Sequence, residues 1–137
     1  FWQPEVGGLL FAPSVGSADG CVSITTITGP HSSDRGKRHS LLLDHARCLS
    51  DIEFQFSRGL HFVGYWHTHP EPAPTLSRID LRAFHEILKR GGLLVERFIA
   101  VVVGLQSCDS VYVVAKDRAI QLVDNSDECI AKLTGCN

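Results

Sequence analysis

The sequence predicts an α/β fold, a mixed β-sheet with flanking helices arranged as a layered domain. Three features predict it: short β-branched runs of strand length, two longer stretches with helical apolar stripes, and Gly- or Pro-rich breaks between them. The expected order is β-β-α-β-α-β-β-β, with no internal repeat or linker, as one domain over residues 1–137.

Val6 to Ala12 (VGGLLFA) is an apolar run opened by two glycines and stopped by Pro13, which predicts a strand. Cys21 to Ile27 (CVSITTI) alternates apolar and polar residues, as a half-buried strand does. Gly29 to Ser40 carries Gly-Pro, Ser-Ser and a basic cluster of Arg35, Lys37 and Arg38, and reads as an exposed loop. Asp44 suits the cap of a helix reaching about Ser57, with Leu49, Ile52 and Phe56 inward and Gly59 as its stop. His61 to Trp66 is the next strand, and Pro70, Pro72 and Pro74 then forbid regular structure. A second helix starts at Ser77, carries Ile79, Ala83, Ile87 and Leu88 on one face, and ends at Gly91-Gly92. Strands follow at about Glu96 to Val103, Ser110 to Ala115 and Ala119 to Val123, then a short helix near Asp127 to Leu133. Phe54, Phe56, Phe84 and Phe98 are the aromatic core candidates.

Composition excludes several classes. With 137 residues, 44% of them hydrophobic, the chain can bury a core without a disulfide framework or structural metal. A formal charge of −2 argues against a nucleic-acid partner. The longest apolar runs, Phe98 to Leu105 and Val111 to Ala115, are strand-sized, so no membrane partner is expected. Cys21, Cys48, Cys108, Cys129 and Cys136 form no Cys-x-x-Cys pair and are expected to be reduced, in a cytoplasmic protein. No signal peptide is legible at Phe1-Trp2-Gln3-Pro4-Glu5, and the absence of methionine suggests a processed or excised chain.

The chemistry concentrates in Gly64-Tyr65-Trp66-His67-Thr68-His69-Pro70, followed by Ser77 and Asp80. His67 and His69 are two apart at a strand end, so their side chains share a face roughly 6.6 Å apart along the strand. Pro70 keeps the backbone of His69 extended. Asp80 falls in the first turn of the second helix, near the positive end of its dipole. Two histidines and one carboxylate make a three-ligand set, which for zinc leaves one position open for water and marks a catalytic site. A His-x-His pair alone is weak evidence, and Ser77-x-x-Asp80 is equally a capping box; the combination is what carries weight. No His-Glu-x-x-His occurs. His31, His39, His61 and His85 read as surface or structurally satisfied histidines.

The spacing His-x-His-Pro-x6-Ser-x2-Asp, filled by His67, His69, Pro70, Ser77 and Asp80, resembles the signature of the JAMM (JAB/MPN+) zinc metallopeptidases. Glu5-Val6-Gly7-Gly8-Leu9-Leu10 resembles that family's N-terminal glutamate before a Gly-Gly strand. The resemblance implies a JAB/MPN, cytidine-deaminase-like layered domain holding one Zn2+ on His67, His69 and Asp80. It implies Glu5 as general base and Ser77 as support for the oxyanion. The implied reaction is hydrolysis of a peptide or isopeptide bond at the C-terminus of a ubiquitin-like protein, in its conjugate or its precursor.

The chain lacks room for the insertions that give the eukaryotic lysine-63-specific relatives their selectivity, since Gly91-Gly92-Leu93 starts the next strand almost at once. Its compactness is similar to the bacterial JAB domains of anti-phage operons, whose neighbours are E1- and E2-like enzymes. Those enzymes, and a role in antiviral defence, are the partners and setting this implies. The rival is a non-catalytic MPN scaffold that only binds proteins, although scaffold relatives typically lack a ligand that is present here.

Overall fold

Six strands build one sheet in the order β2-β1-β5-β6-β7-β8, and every neighbouring pair is antiparallel except β5 with β6. The computed structural model describes residues 4–16, 21–37, 41–71, 74–82, 97–104, 110–115 and 118–122. The strands are β1 (Gly7–Ala12), β2 (Thr26–Ile27), β5 (His61–Thr68), β6 (Arg97–Val103), β7 (Ser110–Ala115) and β8 (Ala119–Leu122). Two short strands, β3 (Arg35–Gly36) and β4 (Leu41–Leu42), pair separately. The stretch expected as a plain loop therefore contains β3. Of the expected strand Cys21 to Ile27 only Thr26–Ile27 pairs with β1.

Alternation along the strands sorts the core onto two faces. Leu9, Phe11, Phe62, Phe98, Ala100, Val102, Tyr112 and Val114 form one buried cluster with Cys48. Leu10, Ala12 and Val63 form a second, covered in part by Val22 and Ile24 from the segment before β2. The single helix fully within the described residues, α1 (His45–Ser57), packs on the first face.

Asp44 caps α1 by accepting from the Arg47 N–H at 3.2 Å, and Gly59 (φ 82°) takes the left-handed conformation just beyond its end. The inward stripe differs from expectation. Cys48 and Gln55 are buried and Ile52 packs on the core, whereas Leu49 and Phe56 are 48% and 59% exposed. Both sets have helical spacing, one residue out of phase, and the polar Gln55 hid the true stripe. Phe54 is also exposed, beneath the Arg58 guanidinium, while Phe98 is fully buried as expected.

Cys21 is disulfide-bonded, which corrects the expectation of reduced thiols; its partner lies outside the described residues, and Cys48 is a buried free thiol. Disulfides persist in oxidising surroundings, so this bond gives the cytoplasmic expectation no support. Among the described residues no helix is long and apolar enough to cross a membrane. Phe84, the body of the second helix and the expected helix near Asp127 lie outside the described residues.

Candidate metal centre

A register shift in the middle of β5 decides which way the histidines face. Leu10 pairs with Gly64 but Phe11 pairs with Phe62, leaving Val63 as an extra residue. Uninterrupted alternation would put Phe62 and His67, five apart, on opposite faces. With the bulge, Tyr65 stays on the face of Phe62, 5.1 Å from its ring, and Trp66 on that of Val63. His67 and His69 follow Tyr65 onto the helix-covered face, where Leu76 and Leu81 also pack.

Asp80 reaches this face from a helical turn at 78–82. Its N–H donates to Ser77 Oγ at 3.0 Å, and its Oδ2 accepts from the Ser77 N–H at 3.0 Å, a reciprocal capping box. The segment before it is pinned by Ser110 of β7, whose hydroxyl donates to the carbonyl of the buried Pro74 at 2.8 Å.

Three ligand atoms therefore converge. The two Nε2 atoms of His67 and His69 lie 3.0 Å apart, and each is 3.2 Å from Asp80 Oδ2. Donors on a tetrahedral ion with bonds of about 2.0–2.1 Å stand about 3.3 Å apart, so the triangle fits one face of such a polyhedron. His67 and His69 are 5% and 6% exposed, while the Asp80 side chain is 18% exposed, so the cluster opens to solvent on the Asp80 side. His69 Nδ1 is buried without a hydrogen-bond partner, so nothing behind the ring fixes its tautomer and Nε2 can carry the lone pair.

The electrostatics follow from that proximity. Burial pushes the Asp80 carboxyl up, but the hydrogen bonds of His67 and His69 outweigh it and hold it far below the usual carboxylate range. The hydrogen bond to Asp80 pushes His69 up, against its burial. Glu5, only 4% exposed, sets Oε1 3.8 Å from His69 Nε2, beyond hydrogen-bonding distance. It faces the cluster without joining it. Burial raises its pKa, with His69 and His67 pulling it back by less.

Glu5 owes its place to the start of β1. Gly7 pairs with His67 and Gly8 with Trp66, and a Cβ on Gly8 would overlap the Thr28 carbonyl oxygen. That carbonyl also accepts the Trp66 indole N–H at 2.8 Å, so the Gly-Gly pair permits a close approach that brings β1 to the ligand strand.

The sequence profile of prokaryotic homologs of the JAB domain matches residues 2–120. The chain belongs to this JAB family. Its fold is similar to the solution structure of a protein from Desulfitobacterium hafniense, with a TM-score of 0.62 at 16% identity, over 86% of this chain and 75% of that one. A protein from Salinibacter ruber is similar with a TM-score of 0.51 at 20% identity, over 87% and 74% of the two chains. No curated protein matches the sequence.

In this JAB domain all five residues singled out from sequence lie together: Glu5, His67, His69, Ser77 and Asp80. Among the described residues of the basic cluster, Lys37 meets the site through its backbone, its carbonyl accepting the Glu5 N–H at 2.8 Å; Arg38 lies outside the described residues. Sequence reasoning missed Thr68, whose hydroxyl accepts the Val6 N–H at 3.0 Å. Its only signal was its place between the two histidines.

Proposed function

We propose that this JAB domain is a zinc-dependent metallopeptidase of the JAMM type, hydrolysing a peptide or isopeptide bond at the C-terminus of a ubiquitin-like modifier. The observation that carries the reading is a buried carboxylate, Glu5, facing a three-donor metal cluster that it does not join. A scaffold needs no such carboxylate, and burying one is costly. Family membership supports the reading, because JAB domains include metalloisopeptidases.

His67, His69 and Asp80 would hold one Zn2+, which, when bound, supplies Lewis acidity toward water and toward the scissile carbonyl. Glu5 takes the proton of the attacking water and hands it to the leaving amine. Its carboxylate faces the donors without joining them, which leaves it free to take that proton and give it up again. Ser77 accepts from the Asp80 N–H with its oxygen, which leaves its O–H to donate to the carbonyl oxygen as charge develops there. The partner is a ubiquitin-like protein or its conjugate, presented by an extended tail of small residues that gains main-chain hydrogen bonds as an added strand. E1- and E2-like enzymes, which would build such conjugates, are the proposed companions, in bacterial antiviral defence.

Glu5→Gln tests the reading against a purely scaffolding role. Zinc content should stay near one per chain, while turnover of a ubiquitin-like fusion with a small-residue tail falls roughly 10²–10⁴-fold. His69→Ala should lose the metal. Full turnover in Glu5→Gln would assign the base elsewhere. No hydrolysis by the zinc-loaded unmutated protein would favour the scaffold.

A further inference from the structure

Between the two candidate ligands sits a residue that contributes no donor to the cluster yet reaches across to β1. The β1–β5 ladder ends its registered pairs at Gly7 and His67. One step further the Thr68 N–H still donates to the Val6 carbonyl at 2.9 Å. A continued antiparallel pair would return the Val6 N–H to the Thr68 carbonyl. Here the Val6 N–H goes instead to Thr68 Oγ1 at 3.0 Å, and the same hydroxyl lies 3.4 Å from the Val6 carbonyl as a donor. A side chain has taken over the last rung of the ladder.

That rung flanks Glu5. On one side the Glu5 N–H is held by the Lys37 carbonyl at 2.8 Å; on the other the next amide is held by Thr68. Gly36 packs so closely on the Glu5 carbonyl that a Cβ there would overlap it, which closes the remaining direction. The backbone is thus held on both sides of Glu5, whose Oε1 lies 3.8 Å from His69 Nε2, and on the C-terminal side one of the holding groups is a hydroxyl carried by the ligand strand itself.

We propose that Thr68 is the positioning residue that fixes Glu5 against the metal centre, locking the base and the two histidines into one rigid unit. Serine at this position keeps the hydroxyl; valine keeps the shape and removes it. The inference rests on the peptidase reading for its catalytic meaning, and its structural part stands on the Val6 hydrogen bond.

The experiment compares Thr68→Val with Thr68→Ser in the full chain. Three quantities are read: zinc per chain, amide hydrogen exchange at Val6, and the change in the Glu5 side-chain carboxylate 13C shift when zinc is added. Both variants should hold near-stoichiometric zinc. Exchange at Val6 should accelerate about ten-fold or more in Thr68→Val, the scale for losing one hydrogen bond, and the Glu5 response to zinc should shrink. Thr68→Ser should restore both. With a ubiquitin-like fusion bearing a small-residue tail, kcat should fall roughly 10- to 100-fold in Thr68→Val while KM holds. Unchanged Val6 exchange and an unchanged Glu5 response in Thr68→Val would overturn the proposal, as would equal defects in the serine variant. If Glu5→Gln proves fully active, the base reading fails by itself, and the exchange and 13C data still decide whether Thr68 places Glu5.

Discussion

Ser77 and Asp80 hold each other by two hydrogen bonds of 3.0 Å, and the Asp80 oxygen that closes this box is the one facing both histidines. Capping and metal ligation therefore share one atom.

That sharing makes Asp80→Asn informative. The amide oxygen can still accept from Ser77, so the cap survives, while loss of the charge held by the two histidines should lower the denaturant midpoint of the metal-free fold. Zinc content should also drop to a small fraction, because the charge is gone. Ser77→Ala should cost about 1 kcal/mol through the lost cap and weaken zinc roughly 10-fold by loosening the ligand. Full zinc retention in Asp80→Asn would remove Asp80 from the ligand set.

The metal-free protein should respond to pH in a defined direction. Folding raises the pKa of His69, through its hydrogen bond to Asp80, and that of Glu5, through burial. A group raised on folding adds stability that is complete below its unfolded value and lost as pH rises through the folded one. The chelator-treated chain should thus melt at higher temperature as pH falls toward 6.5 for His69, and further toward 4.5 for Glu5. Zinc competes with those protons, so the stabilisation by added zinc should shrink over the same interval. Parallel melts with and without zinc across pH 5–9 measure both trends; opposite slopes would contradict the cluster as drawn.

Away from the site, Arg47 ties α1 to the segment before β3. Its guanidinium bridges Asp34 at 2.7 Å and Asp51 at 2.7 Å, with the Asp34 side chain only 5% exposed. Burial pushes Asp34 up, but the Asp44 N–H and Arg47 hold it below the ordinary value of 3.8. The stabilisation from Asp34 is therefore present above about pH 4 and lost as pH falls through the lower folded value. Arg47→Leu strands a buried carboxylate and should cost about 3 kcal/mol at neutral pH. In Arg47→Leu the acid sensitivity from Asp34 should shrink, with the Asp44 N–H still left to favour the carboxylate, and denaturant midpoints from pH 3 to 7 check both statements.

Gly8→Ala should destabilise by about 2 kcal/mol, the usual cost of forcing atoms into a filled space. A Cβ there meets the Thr28 carbonyl and comes within 2.7 Å of the Trp66 indole nitrogen, so β1 must move. Because β1 places Glu5, activity should fall further than stability alone explains. A Gly8→Ala chain of unchanged denaturant midpoint would show that the Gly-Gly pair is not required for packing.

Much of this was legible in the residues, for reasons that differ by element. Asp44, Gly59 and the Ser77–Asp80 box announce local backbone geometry, and local signals survive in a single chain. The five candidate site residues were legible because donor chemistry and spacing restrict them jointly. The inward face of α1 was not, since Gln55 is buried where an apolar residue was sought. Nor was Thr68, whose role depends on Val6, 62 positions away. The strand β2 is short because its hydrogen bonds with β1 fall within the Thr25 to Thr28 stretch, a matter of tertiary reach that alternation cannot report.

The extra residue at Val63 has a consequence for how such domains are diagnosed. It lies between the Glu5 motif and the histidines, and neither motif includes it, yet with it in place only a bulge keeps His67 on the face of Phe62. A homologue one residue shorter between Phe62 and Tyr65 would place its first histidine four positions after that phenylalanine, on the same face by plain alternation, and would need no bulge. The extra residue and the bulge therefore come and go together, and a chain carrying one without the other would keep the whole signature and aim both rings to the wrong side of the sheet.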